Sequence, residues 1–267
     1  MGLAGASASP RKIYANPDDH GSAPRSVAVV SLNTAKVTDA VRIVRDIQSA
    51  PRLRSADVFL LQEVANEDTK ASVADQMAHK LGYFVAFSPA APGVFDQGLA
   101  IVSRYPILDV EIKRLKECNL RFRSRQRFAL AANLRTPWGD VRVWNAHLDT
   151  RINSEERAEQ LAPVIEDASK HTGPRLIGGD FNTNDLRWVG NVVPLPGGPN
   201  HGQAIRRAME QRGFVTPFVN AVTTFPVFQR QLDWIFIKDL VPVASSVEPA
   251  PFSDHYAIWT RVRIPAI

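Results

Sequence analysis

Apolar residues in this chain fall into short unbroken runs separated by stretches of helical period. Ser26 to Leu32, Val58 to Leu61, Leu99 to Val102, Phe128 to Leu134, Val141 to Leu148, Leu232 to Ile237 and Tyr256 to Val262 each read as a buried strand, as does Tyr83 to Phe87. Positions 37, 40, 41, 44 and 47 are apolar at helical spacing and predict a helix over Val37–Ile47. Val73, Met77 and Leu81 form the apolar face of a second helix, with Asp68 or Thr69 as its expected cap and Gly82 as its stop. Asn153 and Glu156 match a capping box opening a third helix, in which Pro163 predicts a kink or a break. Thr136-Pro137-Trp138-Gly139-Asp140 reads as a hairpin turn, residues 183 to 200 as a loop, and Ala204 to Met209 as a short helix ended by Gly213. Helices interspersed with many short strands favour a layered α/β fold over an all-β barrel.

The runs share a feature that periodicity alone does not require: several end in a polar residue able to do chemistry. Asn33 follows Val29-Val30-Ser31-Leu32, and Glu63 follows Leu60-Leu61-Gln62. His147 follows Trp144-Asn145-Ala146, and Gly178-Gly179-Asp180-Phe181-Asn182 follows Leu176-Ile177. Asp233 is embedded in Gln231-Leu232-Asp233-Trp234-Ile235-Phe236, and Asp254-His255 precedes the last strand. Each of these alone is more simply a capping or solvated group. Together, at strand ends, they can converge at one edge of the sheets. Glu63 with Asn33 beside it suits a hard cation such as Mg²⁺, which takes oxygen ligands. A carboxylate inside an apolar run is costly without a partner, so Asp233 is paired with His255, whose charged form it would stabilise. The Asp180/Asn182 turn can orient a water beside a phosphate.

Charge and composition narrow the classes. The chain has 267 residues and a net charge of +5, but Lys113, Arg114, Lys116, Arg121, Arg123, Arg125 and Arg127 crowd one segment with Glu117 as the sole acid. The rest is close to neutral. Alternation on a strand would put four of these arginines on one face, suited to phosphate or to a solvated edge strand. A lone cysteine, Cys118, excludes an internal disulfide and cysteine-rich zinc sites. It is expected to be a half-buried small residue, although its basic surroundings could lower its pKa. No apolar run is long enough to span a bilayer, and residues 1 to 25 lack a signal-peptide core. They are expected to form a flexible tail or the remnant of a processed leader, ahead of a single domain over 26–267. The protein is expected to be soluble and monomeric, either cytoplasmic or exported. No Gly-x-Ser-x-Gly elbow supports a serine hydrolase.

The ordered segments Ser31-Leu32-Asn33, Leu61-Gln62-Glu63-Val64, Asn145-Ala146-His147-Leu148-Asp149, Gly178-Gly179-Asp180-Phe181-Asn182, Leu232-Asp233-Trp234-Ile235-Phe236 and Ser253-Asp254-His255 resemble the endonuclease/exonuclease/phosphatase superfamily, the DNase I-like fold. The resemblance implies a four-layer αββα sandwich: two packed mixed sheets flanked by helices. It implies Mg²⁺ or Mn²⁺ on Glu63 with Asn33 and Asp254 nearby, and Asp180 and Asn182 holding and activating the attacking water. His147, and His255 paired with Asp233, would bind the phosphate oxygens. Arg127 would reach the substrate phosphate, with Arg125 and Trp188 as further contacts. The acidic or tyrosine residue that often follows the Gly98–Arg104 strand has no convincing counterpart; Tyr105 and Glu111 are the candidates. The implied activity is hydrolysis of a phosphodiester, with nucleic acid ahead of a phospholipid headgroup. A phosphatase, a phospholipase C-type (sphingomyelinase-like) enzyme and a silent binding module are the alternatives. Peripheral lipid contact is compatible with the aromatic residues Phe218, Phe225 and Phe228.

Overall fold

The computed structural model describes residues 25–66, 71–91, 94–118, 126–218 and 220–266. Two mixed sheets pack face to face. The first has the order β12 (Val241–Glu248), β13 (Ala257–Arg263), β1 (Ser26–Asn33), β2 (Val58–Val64), β4 (Val94–Ser103), β3 (Phe84–Ala91). The second has the order β11 (Asp233–Lys238), β8 (Arg175–Asp180), β7 (Gly139–His147), β6 (Phe128–Thr136), β5 (Ile107–Arg114). Helices α1 (Ala40–Ser49), α2 (Pro51–Arg54) and α3 (Val73–Leu81) belong to the side of the first sheet, and α4 (Ser154–Lys170) and α5 (His201–Glu210) to that of the second. The expected four-layer sandwich is what the chain forms.

The strands are apolar throughout because both their faces are covered. In β1, Ala28, Val30 and Leu32 pack under Ile43, Ile47 and Met77 of the helices. Val27 and Val29, one step out of phase, enter the layer between the sheets with Leu60, Val143, Leu176 and Ile235. On the far side, Leu161, Val164 and Ile205 cover Trp144, Ile177 and Phe236.

Helix boundaries follow side-chain capping rather than apolar spacing. α1 starts at Ala40, not at Val37, because Asp39 Oδ1 accepts from the Arg42 N–H at 2.9 Å. α3 is capped by Ser72 in a reciprocal box with Asp75 and stopped by Gly82 at φ 69°; Asp68 and Thr69 lie outside the described residues. At α4 the expected capping box forms, with Glu156 accepting from the Asn153 N–H at 2.7 Å, and the Asn153 amide also bonds the backbone of Trp188. The helix then runs on through Pro163 to Lys170, so of the two expected outcomes, a kink or a break, the break does not occur. Packing of its buried face against the second sheet outweighs the local cost of proline. Within the 183–200 stretch, β9 (Arg187–Val189) and β10 (Val193–Leu195) form a small hairpin.

Candidate active site

Alternation explains how the site is built. The side chains that face between the sheets are apolar at one end of the strands and polar at the other. The sequence runs Val27, Val29, Ser31, Asn33 along β1, and Val141, Val143, Asn145, His147 along β7. Along β8 it is Leu176, Gly178, Asp180; β11, antiparallel to β8, begins with Asp233 before Ile235 and Ile237. Register brings the polar ends level: Asp180 lies beside His147 on one flank and beside Asp233 on the other. Simple alternation would point Glu63 at the helices, the same side as Phe59 and Leu61. Instead the β2–β4 register shifts between Leu61 and Val64, and Glu63 takes φ 49°. This bulge turns its carboxylate to within 4.0 Å of His147 Nε2.

The two glycines before Asp180 permit close packing. A Cβ on Gly178 would stand 2.9 Å from the Leu60 side chain of the opposite sheet. Gly179 has φ 144°, and a Cβ there would fall 1.9 Å from the Ala146 carbonyl oxygen. No side chain fits that position.

Asp180 is the hub. Its Oδ2 accepts from Asn33 Nδ2 at 3.0 Å and lies 3.5 Å from His147 Nε2 and 3.9 Å from His255 Nε2. Its Oδ1 accepts from the Asn182 N–H at 2.9 Å. Asn182 sits at φ 51°, and its Nδ2 donates to the Leu148 carbonyl at 2.9 Å, which ties the turn to the end of β7. His255 Nδ1 lies 2.8 Å from Asp233 Oδ2, so the expected Asp–His pair is formed. The Thr224 hydroxyl accepts from the Leu232 and Asp233 N–H groups, and the Ser253 hydroxyl accepts from the His255 N–H while donating to the Asn33 carbonyl.

These contacts divide the charges. Burial alone would lower the His255 pKa, but the charges of Asp233 and Asp180 and the Asp233 bond outweigh it and raise it to about 10. His147 goes the other way: burial, then the charges of Arg127 and His255, hold it well below its ordinary value and keep it neutral. Burial and the nearby Asp233 charge raise Asp180 to about 6, against the opposing pull of His255 and Asn33. Glu63 is also raised, by burial first and then by Asp180, while its bond from Asn33 opposes the rise.

The donors present fit a hard divalent cation. The half-buried Glu63 carboxyl lies next to the buried Asp180 carboxyl across the Asn33 amide, and its pKa is raised where a nearby cation would relieve the repulsion. The Asn33 Oδ1, which accepts from the Ala35 N–H at 2.9 Å, adds an oxygen donor beside Glu63, and the exposed carboxylate of Asp254 immediately precedes His255 in the chain. Asp180, Asp233 and His255 also bring donor atoms within 4.8 Å of one another. Within that trio His255 Nδ1 is taken by Asp233, while His255 Nε2 stands 3.9 Å from Asp180 without a hydrogen bond between them.

Arg127 joins the site. It lines a narrow cleft with Glu63, His147, Gln97, Gly98 and Phe128, and its Nε donates to Asp149 Oδ1 at 2.8 Å. Arg125, like Arg121 and Arg123, lies outside the described residues. Trp188 is anchored through its backbone to Asn153 and, among the described contacts, touches none of the groups around Asp180. Tyr105 and Glu111 are not at the site. Tyr105 follows Ser103, which pairs with Val58 at the opposite end of β2, and Glu111 binds Arg142 and Lys113. Cys118 is buried, with its thiol pushed up to about 11 by burial and by Asp149 and Glu156, so the basic segment does not activate it.

Several supporting residues have no role assigned from the sequence, although Gln62, Asn145 and Asp149 fall inside the segments that carry the resemblance. Asp149, two positions after His147, holds Arg127 with one oxygen and Gln160 with the other. Arg157, fully buried in α4, donates to the carbonyls of Asp149, Ile152 and Phe181 and so ties the ends of β7 and β8 together. Gln62 and Asn145 clamp the two sheets beneath the site through a 2.6 Å bond.

Comparison with known proteins gives the same assignment. Residues 30–255 match the model of the Endonuclease/Exonuclease/phosphatase family. No curated protein matches the sequence. Among solved structures, an endonuclease/exonuclease/phosphatase from Beutenbergia cavernae is 21% identical, with a TM-score of 0.70 over 90% of this chain and 72% of that one. TDP2 of D. rerio, complexed with a single-strand DNA product, is 16% identical, with a TM-score of 0.63 over 89% of this chain and 99% of that one. ANGEL2, a 2',3'-cyclic phosphatase in complex with adenosine-2',3'-vanadate, is 17% identical, with a TM-score of 0.64 over 90% and 96%. At these identities the likeness is one of fold.

Proposed function

The chain belongs to the endonuclease/exonuclease/phosphatase family, and on that premise we propose that this phosphoester hydrolase is a divalent-metal-dependent phosphodiesterase acting on nucleic acid. The observation that carries the reading is the convergence on Asp180 of Asn33, His147 and His255, with the Glu63 carboxylate alongside. We take residues 26–267 as one catalytic domain.

Glu63 would hold the cation, with Asn33 and Asp254 beside it; when bound, the cation neutralises charge on the phosphate and polarises it. Asp180 takes the proton of the attacking water. Its two oxygens are aimed by Asn33 and by the Asn182 N–H. The water oxygen forms a bond to phosphorus in line with the bond that breaks to the leaving oxygen. No covalent enzyme intermediate is required. His255, charged and fixed by Asp233, donates from Nε2 to a non-bridging oxygen as negative charge grows there. His147, neutral, hydrogen-bonds in the same space, and Arg127 at the cleft wall binds the phosphate backbone. Asn182 helps hold the water through its turn.

Nucleic acid is favoured because an arginine braced by Asp149 enters the site from the basic segment. TDP2, of similar fold, is seen with a DNA product. Among the described residues no helix is long and apolar enough to cross a membrane, and lipid contact would be peripheral. The test is a panel in EDTA and then with Mg²⁺ or Mn²⁺: plasmid DNA, single strands, sphingomyelin, bis(p-nitrophenyl) phosphate and p-nitrophenyl phosphate. Chelation should abolish hydrolysis of DNA and of the nitrophenyl diester, and metal should restore it. Hydrolysis of the monoester alone, or of sphingomyelin alone, would overturn the assignment.

A further inference from the structure

A cavity of about 470 Å³ opens beside the site and is used by none of the steps above. One wall begins at Thr183, immediately after Asn182, and another contains Gln231, two residues before Asp233. Its remaining surface comes from α5 and the loop before β11, including Gln203, Arg206, Phe228, Gln229 and Trp234. The volume lies within the range of small-ligand sites and exceeds what a phosphate or a few waters need.

The chemistry of the lining selects its occupant. Arg206 is paired with Glu210, and Arg230 with Asp185, so the cations facing the cavity are already neutralised. A second phosphate is therefore poorly served there. The polar groups left over are amides. Gln231 is not among those on offer, since its Oε1 accepts from the Val222 N–H and its Nε2 is shielded from the cavity. The amides on offer are those of Gln203 and Gln229, whose side chains make no hydrogen bond among the described residues. A primary amide offers a donor and an acceptor in one plane, the pattern that matches the edge of a nucleobase. Phe228, 68% exposed at the rim, adds an aromatic face for stacking. It is linked to the reacting centre through Phe225, whose ring lies 5.0 Å from that of His255.

We propose that this cavity is a nucleobase subsite: it holds the base of a nucleotide flanking the scissile phosphate and gives the enzyme a base preference. The proposal rests on the phosphodiesterase reading for where the phosphate sits, and its test separates the two. Calorimetric titration of metal-free protein with AMP, CMP, GMP, UMP and ribose 5-phosphate reads the subsite without turnover. At least one nucleotide should bind at least tenfold more tightly than ribose 5-phosphate. Gln203→Ala and Phe228→Ala, at exposed positions, should each reduce that advantage several-fold. A parallel assay compares nucleoside p-nitrophenyl phosphodiesters with bis(p-nitrophenyl) phosphate in Mn²⁺, where both variants should lower the ratio of the two kcat/KM values. Equal or undetectable binding of all five ligands, or variants that bind as the wild type does, would overturn the subsite. Failure to cleave any diester would instead overturn the phosphodiesterase reading, while the titration still decides the cavity.

Discussion

Replacing Asp233 by asparagine keeps its shape and removes one charge from a fully buried pair. In the wild type, His255 titrates near 10 when folded, against about 6.5 for an unperturbed histidine. The folded pKa is the higher one. The pair's contribution is therefore complete below pH 6.5 and is lost as pH rises through 10. One pKa unit corresponds to about 1.4 kcal/mol, so the gap implies roughly 3–5 kcal/mol, the size expected on breaking a buried pair. Asp233→Asn should thus be about 3–5 kcal/mol less stable than wild type at pH 6.5, with the difference closing toward pH 10. Urea denaturation in EDTA at half-unit pH steps measures this directly. With His255 no longer held charged, kcat should fall at least about a hundredfold. A stability loss equal at pH 6.5 and pH 10, or a wild type whose stability is flat over that interval, would refute the reasoning.

Two other substitutions probe the frame around the site. Gly179→Ala places a methyl where the Ala146 carbonyl already stands, and should cost about 2–4 kcal/mol, read as a lowered urea midpoint; a wild-type midpoint would contradict the close approach. Asp149→Asn keeps a polar partner for Gln160 but removes the charge that orients Arg127. It should raise KM for a diester about tenfold with a smaller change in kcat, and an unchanged KM would show that Arg127 needs no anchor.

The strands, the sandwich and most of the site were legible because they depend on local rules. Two-sided burial makes unbroken apolar runs, and a polar residue on the inner face of such a run is conspicuous, as Asn33, His147, Asp180 and Asp233 are. Glu63 was visible as a polar residue at a strand end, but how its side chain reaches the site was not, since that depends on a bulge and a left-handed backbone that alternation does not foresee. Helix starts were misplaced where a side chain decides them, at Asp39 and Ser72. Pro163 does not end its helix, because tertiary packing outweighs its local cost. Asp149, Arg157 and Gln160 were passed over because their partners are backbone atoms and side chains distant along the chain, brought together by the fold. Trp188 looked available in a loop, but its backbone is claimed by Asn153.

The central claim is that Asp180 accepts a proton from the water that attacks phosphorus. Its most direct test is the rate of bis(p-nitrophenyl) phosphate hydrolysis at saturating metal by wild type and by Asp180→Asn. The account predicts a loss in kcat of at least roughly a hundredfold, together with disappearance of the acid limb of the pH–rate profile. Near-wild-type turnover in Asp180→Asn, with the acid limb intact, would contradict it.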